Sequence, residues 1–119
     1  MSTQYNPGHT LTRIASAAVE EYRFVTAAGA HAGAGAAAIG VSLTGAAAGG
    51  SITVVINGTV PVTAGATIAA GDQLASDAQG RAIPAAEGDV INGVALEAVA
   101  AGDEAEVLLG APAATKGGA

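Results

Sequence analysis

The side chains that could do chemistry in this chain are ten carboxylates, two histidines and four cations. Seven of the carboxylates gather as Asp72 and Asp77, as Glu87 and Asp89, and as Asp103, Glu104 and Glu106. A general acid–base pair needs one carboxyl group desolvated and the other kept ionised. These groups instead stand beside glycines or in short polar runs, where solvated acids at turns and strand edges are the expected reading. His9 and His31 stand alone, with no second ligand at metal spacing, so no metal site is expected and both histidines read as surface or interface residues. The chain has no cysteine, which removes thiolate ligands, thiol nucleophiles and disulfides together.

Three short motifs fail on context. Gly33-Ala-Gly35-Ala-Ala-Ala38 fits the loose dinucleotide fingerprint, but no acid follows until Asp72, too far on to hold a ribose, and the next segment is strand-like. Gly45 to Ser51 has the glycines of a phosphate loop without its lysine. Asn57-Gly58-Thr59 is formally a glycosylation sequon, but Asn-Gly between two β-branched runs reads first as a type I′ hairpin turn. A swinging-arm carrier domain would need a lysine at a hairpin tip, and the single lysine, Lys116, is near the C-terminus. No catalytic residue, no cofactor and no enzyme activity are expected.

Net charge is −6, and the cations are only Arg13, Arg23, Arg81 and Lys116, too few to track a phosphate backbone. Nucleic acid is therefore not an expected partner. No window has the Leu/Ile/Phe density of a membrane span, so no membrane is expected either. No basic–apolar–cleavage pattern opens the chain, so no secretory signal is expected. Between Phe24 and Gly71, 48 residues carry no Asp, Glu, Lys or Arg. Such a stretch is compatible with a face turned toward other protein, or with a plain Thr/Ser/Ala/Gly surface.

The 119 residues are enough for one domain with a modest core. Phe24, Tyr5 and Tyr22 are the only aromatic residues, and burying Ala and Gly removes little apolar area from water. Association with copies or with a partner is the expected remedy. The chain also repeats itself. Gly40 to Gly58 and Gly93 to Ala111 align at a constant offset of 53 residues, with Gly40/Gly93, Val41/Val94, Leu43/Leu96, Ala47/Ala100, Ala48/Ala101, Gly49/Gly102 and Val54/Val107 identical. Each copy reads as strand, small-residue turn, strand, which predicts one all-β domain built from two similar halves.

The remaining elements follow from turn chemistry. Residues 1–10 contain Pro7-Gly8 and no periodicity, and read as an arm. Leu11 to Glu21 contains helix formers but no helical stripe, and extended structure is favoured. Strands are predicted at Ile52–Ile56, Arg81–Ile83, Val94–Glu97 and Glu106–Leu109. Thr59 to Thr63 should return from the Asn57-Gly58 turn, with Pro61 confining it to an edge. Gly80 should take positive φ in a hairpin turn over Asp77 to Gly80. The domain plan is an arm and lead-in over 1–22, a β-domain over 23–110 and a frayed tail over 111–119.

The run from Gly40 to Ala85, followed by INGVALEAVAAGDEAEVLL, resembles the capsid decoration (cement) proteins of tailed bacteriophages. The features that carry it are the Gly-Val…Ala-Gly hairpin, AGDQLASDAQGR over Ala70–Arg81, and GVALEA over Gly93–Ala98. The resemblance extends over about Phe24 to Leu109. It implies a small β-barrel or β-clip-like fold with an extended N-terminal arm. It also implies a virion protein, made in the host cytoplasm, that sits on the outside of the head, binds the major capsid protein, stabilises its contacts and forms trimers, with no catalytic residues to carry over. On that reading Tyr5, Asn6, Pro7 and His9 are the expected capsid contacts, Tyr5 because tyrosine supplies large contact area at low entropy cost. The alternative is an antifreeze-like (SAF-type) β-clip domain that binds a ligand or serves an enzyme, to which Ala64–Asp72 is similar.

Overall fold

The chain alternates short β-branched runs with Gly-Asp, Ala-Gly and Gly-Gly turns. A computed structural model describes residues 6–7, 9–109 and 114–115, with the backbone alone at 6, 7, 114 and 115. Twelve strands follow in order. They are β1 (Asn6–Pro7), β2 (Thr10–Ile14), β3 (Phe24–Val25), β4 (Gly40–Ser42), β5 (Ser51–Val55) and β6 (Gly58–Thr63), then β7 (Gln73–Ser76), β8 (Ala82–Pro84), β9 (Val90–Ile91), β10 (Gly93–Ala95), β11 (Glu104–Leu109) and β12 (Ala114–Thr115). One sheet has the order β2-β5-β4-β3, a second β1-β6-β11-β10-β7-β8, and β12 pairs with β9. All strand pairs are antiparallel, and no helix occurs among the described residues. The fold is all-β, but the sheets stay open, so the barrel expected from the sequence is not formed.

The repeat is real and larger than the sequence shows. The hairpins β4–β5 and β10–β11 are its aligned parts, and the match extends back through the preceding strands at an offset of 49. Thr10↔Val55 and Ile14↔Ser51 correspond to Thr59↔Leu108 and Thr63↔Glu104. Phe24↔Val41 and Val25↔Gly40 correspond to Gln73↔Val94 and Leu74↔Gly93. The bridge Val19↔Ala46 corresponds to Ile68↔Val99. The offset changes where Val25↔His31 becomes Leu74↔Pro84, so the second half carries four extra residues in this hairpin. Those residues tie the halves together: Phe24 N–H donates to the Gly80 carbonyl at 2.7 Å, and Arg23 Nη1 donates to the Gln79 carbonyl at 3.0 Å. Gly80 has φ 75°, as its turn requires.

The larger core combines Phe24, Val41 and Val55 of the first half with Val60, Val62, Ile68, Leu74, Val107 and Leu109 of the second. A smaller core of Ala15, Val19, Val25, Ile52 and Val54 belongs to the first half alone. Ile52 and Val54 therefore face one core while Val55 faces the other, and the first sheet is covered on both sides near its centre.

The Asn57-Gly58 pair joins two sheets and is not a hairpin turn, because β2 and β4 occupy both edges of β5. Gly58 has φ 88°, but Asn57 stays outside the left-handed region, and its Oδ1 accepts the His9 N–H at 2.6 Å. Within the lead-in expected up to residue 22, all five residues of β2 pair with β5. Ala114 and Thr115, expected in a frayed tail, pair with Ile91 and Val90.

Candidate functional site

The carboxylates act locally. Asp77 Oδ1 accepts the N–H groups of Gln79 and Arg81, and its Oδ2 meets Arg81 Nε at 2.7 Å, closing the β7–β8 turn. Asp72 Oδ2 accepts the Ala69 N–H at 2.9 Å and Asp89 Oδ2 that of Ala86 at 3.0 Å. Glu97 Oε2 accepts the Glu106 N–H at 3.0 Å, as Thr44 Oγ1 accepts the Thr53 N–H in the first half. Among the described residues no three His, Cys, Asp or Glu side chains are grouped as a metal site would require. The Ala64–Asp72 stretch, on which the β-clip alternative rests, supplies the bridge at Ile68 and the Asp72 turn.

His31 sits where the halves meet. Its Nε2 accepts the Glu20 N–H at 3.1 Å, which requires the neutral ring. Burial and then the neighbouring Arg23 guanidinium push its pKa down, against the opposing pull of Glu20 and Asp77. Arg23 pairs with Glu20 at 3.0 Å. These groups hold the junction between the halves.

What remains is surface. The equivalence of the halves shows which parts of it are unfinished. Val55 is fully buried, whereas its counterpart Leu108 is 46% exposed. Leu43 packs against the larger core, whereas its counterpart Leu96 is 45% exposed. Val41 is buried and Val94 only half-buried, and Phe24 is replaced by Gln73. The face that the first half uses to bind the second is thus open on the second half, with Val94, Leu96 and Leu108 as its apolar part. Sequence reasoning missed it, although the identical Val41/Val94 and Leu43/Leu96 pairs were its trace.

The strand edges differ in the same way. Hydrogen bonds from Ile56 N–H to the His9 carbonyl and between Ala15 and the Gly49–Gly50 turn set the alternation along β2. His9, Leu11 and Arg13 turn their backbone groups toward β5, so Thr10, Thr12 and Ile14 turn theirs outward. On β6 the outward positions are Thr59, Pro61 and Thr63. Asn6 pairs with Thr59, Pro61 has no N–H to offer, and Thr63 N–H donates to the Tyr22 carbonyl at 2.9 Å. Pro61 is thus on an edge, as its chemistry demands, although β6 itself has neighbours on both sides.

Of the residues singled out from sequence, Asn6 and Pro7 lie in β1 on the outer edge of β6. His9 is exposed, with Nδ1 2.9 Å from Asn57 Nδ2. The structure brings these three together beside the β5–β6 connection. Tyr5 lies outside the described residues.

The described residues form two main antiparallel sheets with an open apolar face on the second half. Residues 5–110 match the family of phage cement proteins, and the chain belongs to that family. A comparison with curated protein sequences gives no significant match. Among solved structures the fold is similar to the N base of head fiber gp8.5 in bacteriophage phi29, at 22% identity and a TM-score of 0.73, covering 86% of this chain and 93% of that one. The protein is a structural protein of a phage head.

Proposed function

We propose that this protein binds the outer surface of the phage head and stabilises contacts between major capsid protein subunits, as a trimer. The observation that carries this reading is the open face of Val94, Leu96 and Leu108. Its counterpart in the first half is buried in a protein–protein contact within the same chain, so the open copy has the chemistry of a surface made to be covered. Copy-to-copy packing on this face would supply the burial that a thin Ala/Val core lacks. Membership of the cement family supports the head as the site of action.

Tyr5, Asn6, Pro7 and His9 are assigned to the capsid contact. Asn6, Pro7 and His9 cluster at one end of the second sheet, and a tyrosine just before them would add a rigid aromatic anchor. The net charge of −6 keeps free copies soluble before assembly.

The test is the stability of heads with and without the protein. Shells assembled from the major capsid protein should disrupt at higher temperature after saturation with it. A Leu96→Asp/Leu108→Asp variant should sediment as a monomer and protect shells less. Unchanged shell disruption with saturating wild-type protein would refute the proposal.

A further inference from the structure

The two halves of the chain also differ in the outer edges of β2 and β6. On β6 every outward N–H is accounted for: Thr59 pairs with Asn6, Pro61 has none, and Thr63 donates to the Tyr22 carbonyl. On β2 the corresponding positions are Thr10, Thr12 and Ile14. Among the described residues nothing takes their three N–H groups or the carbonyls of Thr10 and Thr12. An open row of backbone donors and acceptors is a template for another strand, and folded proteins normally blunt it with proline, charge or a cover. This edge has no proline and no outward charge, and its one cover, the loop at Gly29, reaches only the Ile14 carbonyl and Ser16, leaving Thr10 and Thr12 bare. Thr10, Thr12 and Ile14 are uncharged, and Ile14 is 60% exposed. The one charge on the strand, Arg13, is drawn away, its Nε and Nη2 donating to the Ala27 carbonyl at 3.3 and 3.0 Å.

We infer that the outer edge of β2 is an attachment site that takes an extended, uncharged segment of a capsid subunit as an added strand. The second half displays the kind of occupant that fits: a short uncharged segment, Asn6–Pro7, laid on the equivalent edge. A second copy of this chain is the poorer candidate. Pairing two five-residue strands edge to edge buries far less than the roughly 1,200 Å² that a stable complex of free proteins needs. On a head the same strand pair adds to contacts from residues 5–9, which immediately precede β2, so the two contacts reinforce each other through effective concentration. The inference rests on the proposed head binding and names the backbone groups that make it.

The chain itself supplies the test variant. Thr12 corresponds to Pro61, so Thr12→Pro copies into the first half what the second half already carries. It removes an outward N–H and leaves the β2–β5 ladder intact. Thr12→Pro should keep the wild-type unfolding transition and sedimentation coefficient, and should bind shells of the major capsid protein at least tenfold more weakly at equal salt. Hydrogen exchange provides a second reading that needs no variant. Amides of Thr10, Thr12 and Ile14 should exchange freely in the unbound protein and at least tenfold more slowly on shells, while Leu11 and Arg13 are protected in both. Thr12→Pro binding within threefold of wild type, or unchanged exchange at the three amides, would overturn the edge proposal and leave head binding intact. Protection of these amides in the free protein at high concentration, with unaffected shell binding, would overturn it in favour of a second copy. Wild-type protein that fails to bind shells would refute head binding and the edge proposal with it.

Discussion

Tyr22 and Gly71 occupy the same place in the two halves of the protein. Tyr22 N–H donates to the Ser42 carbonyl at 2.6 Å and Gly71 N–H to the Ala95 carbonyl at 2.8 Å, and both have positive φ, 61° and 89°. Tyr22 is the single non-glycine residue in this region among the described residues. A tyrosine there carries a backbone penalty that its counterpart avoids. Its carbonyl holds Thr63 of the second half, so the strained residue is also a joint between halves.

The strain can be isolated from the ring. Tyr22→Gly and Tyr22→Val both lose the ring, but glycine removes the Cβ whereas valine puts a branched Cβ at positive φ. Tyr22→Val should be less stable than Tyr22→Gly by about 1–2 kcal/mol in urea unfolding. Equal stability of the two variants would show that the left-handed conformation is not held in solution.

Gly40 and Gly93 are kept in both halves for lack of room. A Cβ on Gly40 would stand 2.1 Å from the Val55 carbonyl oxygen, and one on Gly93 would stand 2.5 Å from a Val107 methyl. The first obstacle is backbone in a sheet and the second a side-chain methyl. Gly40→Ala should therefore cost about 2–3 kcal/mol, and more than Gly93→Ala, by denaturant unfolding. The reverse order would contradict the register of the β4–β5 hairpin.

Much of this arrangement was legible in the sequence. The Gly40/Gly93 and Gly49/Gly102 pairs marked the two hairpins, and Gly80 marked the β7–β8 turn, because those positions admit only glycine geometry. The preceding strands were not legible as repeats. Their equivalence lies in backbone pairing, and Phe24 against Gln73 or Tyr22 against Gly71 share no side-chain chemistry. Asn57-Gly58 misled for a related reason: local turn preference says nothing about whether β5 has an edge left to pair. The candidate surfaces were legible only in outline, since exposure of Leu108 against burial of Val55 depends on which half covers which.

His31 makes the junction sensitive to acid. Its folded-state pKa is depressed, so the neutral ring contributes stability that is fully present above the ordinary histidine value of about 6.5. That contribution is lost as pH falls below this value toward the folded-state pKa. The urea midpoint of wild type should drop between pH 7.5 and 5 by more than that of His31→Gln, which retains an acceptor for the Glu20 N–H without titrating. Parallel pH profiles for the two proteins would rule this role out.

The central claim is that the protein attaches to assembled heads. Co-sedimentation of purified protein with shells of the major capsid protein tests it most directly, titrated at fixed salt against a control without shells. The account predicts saturable pelleting at a fixed number of copies per shell, reduced by Thr12→Pro. Protein that stays in the supernatant at every shell concentration would contradict it.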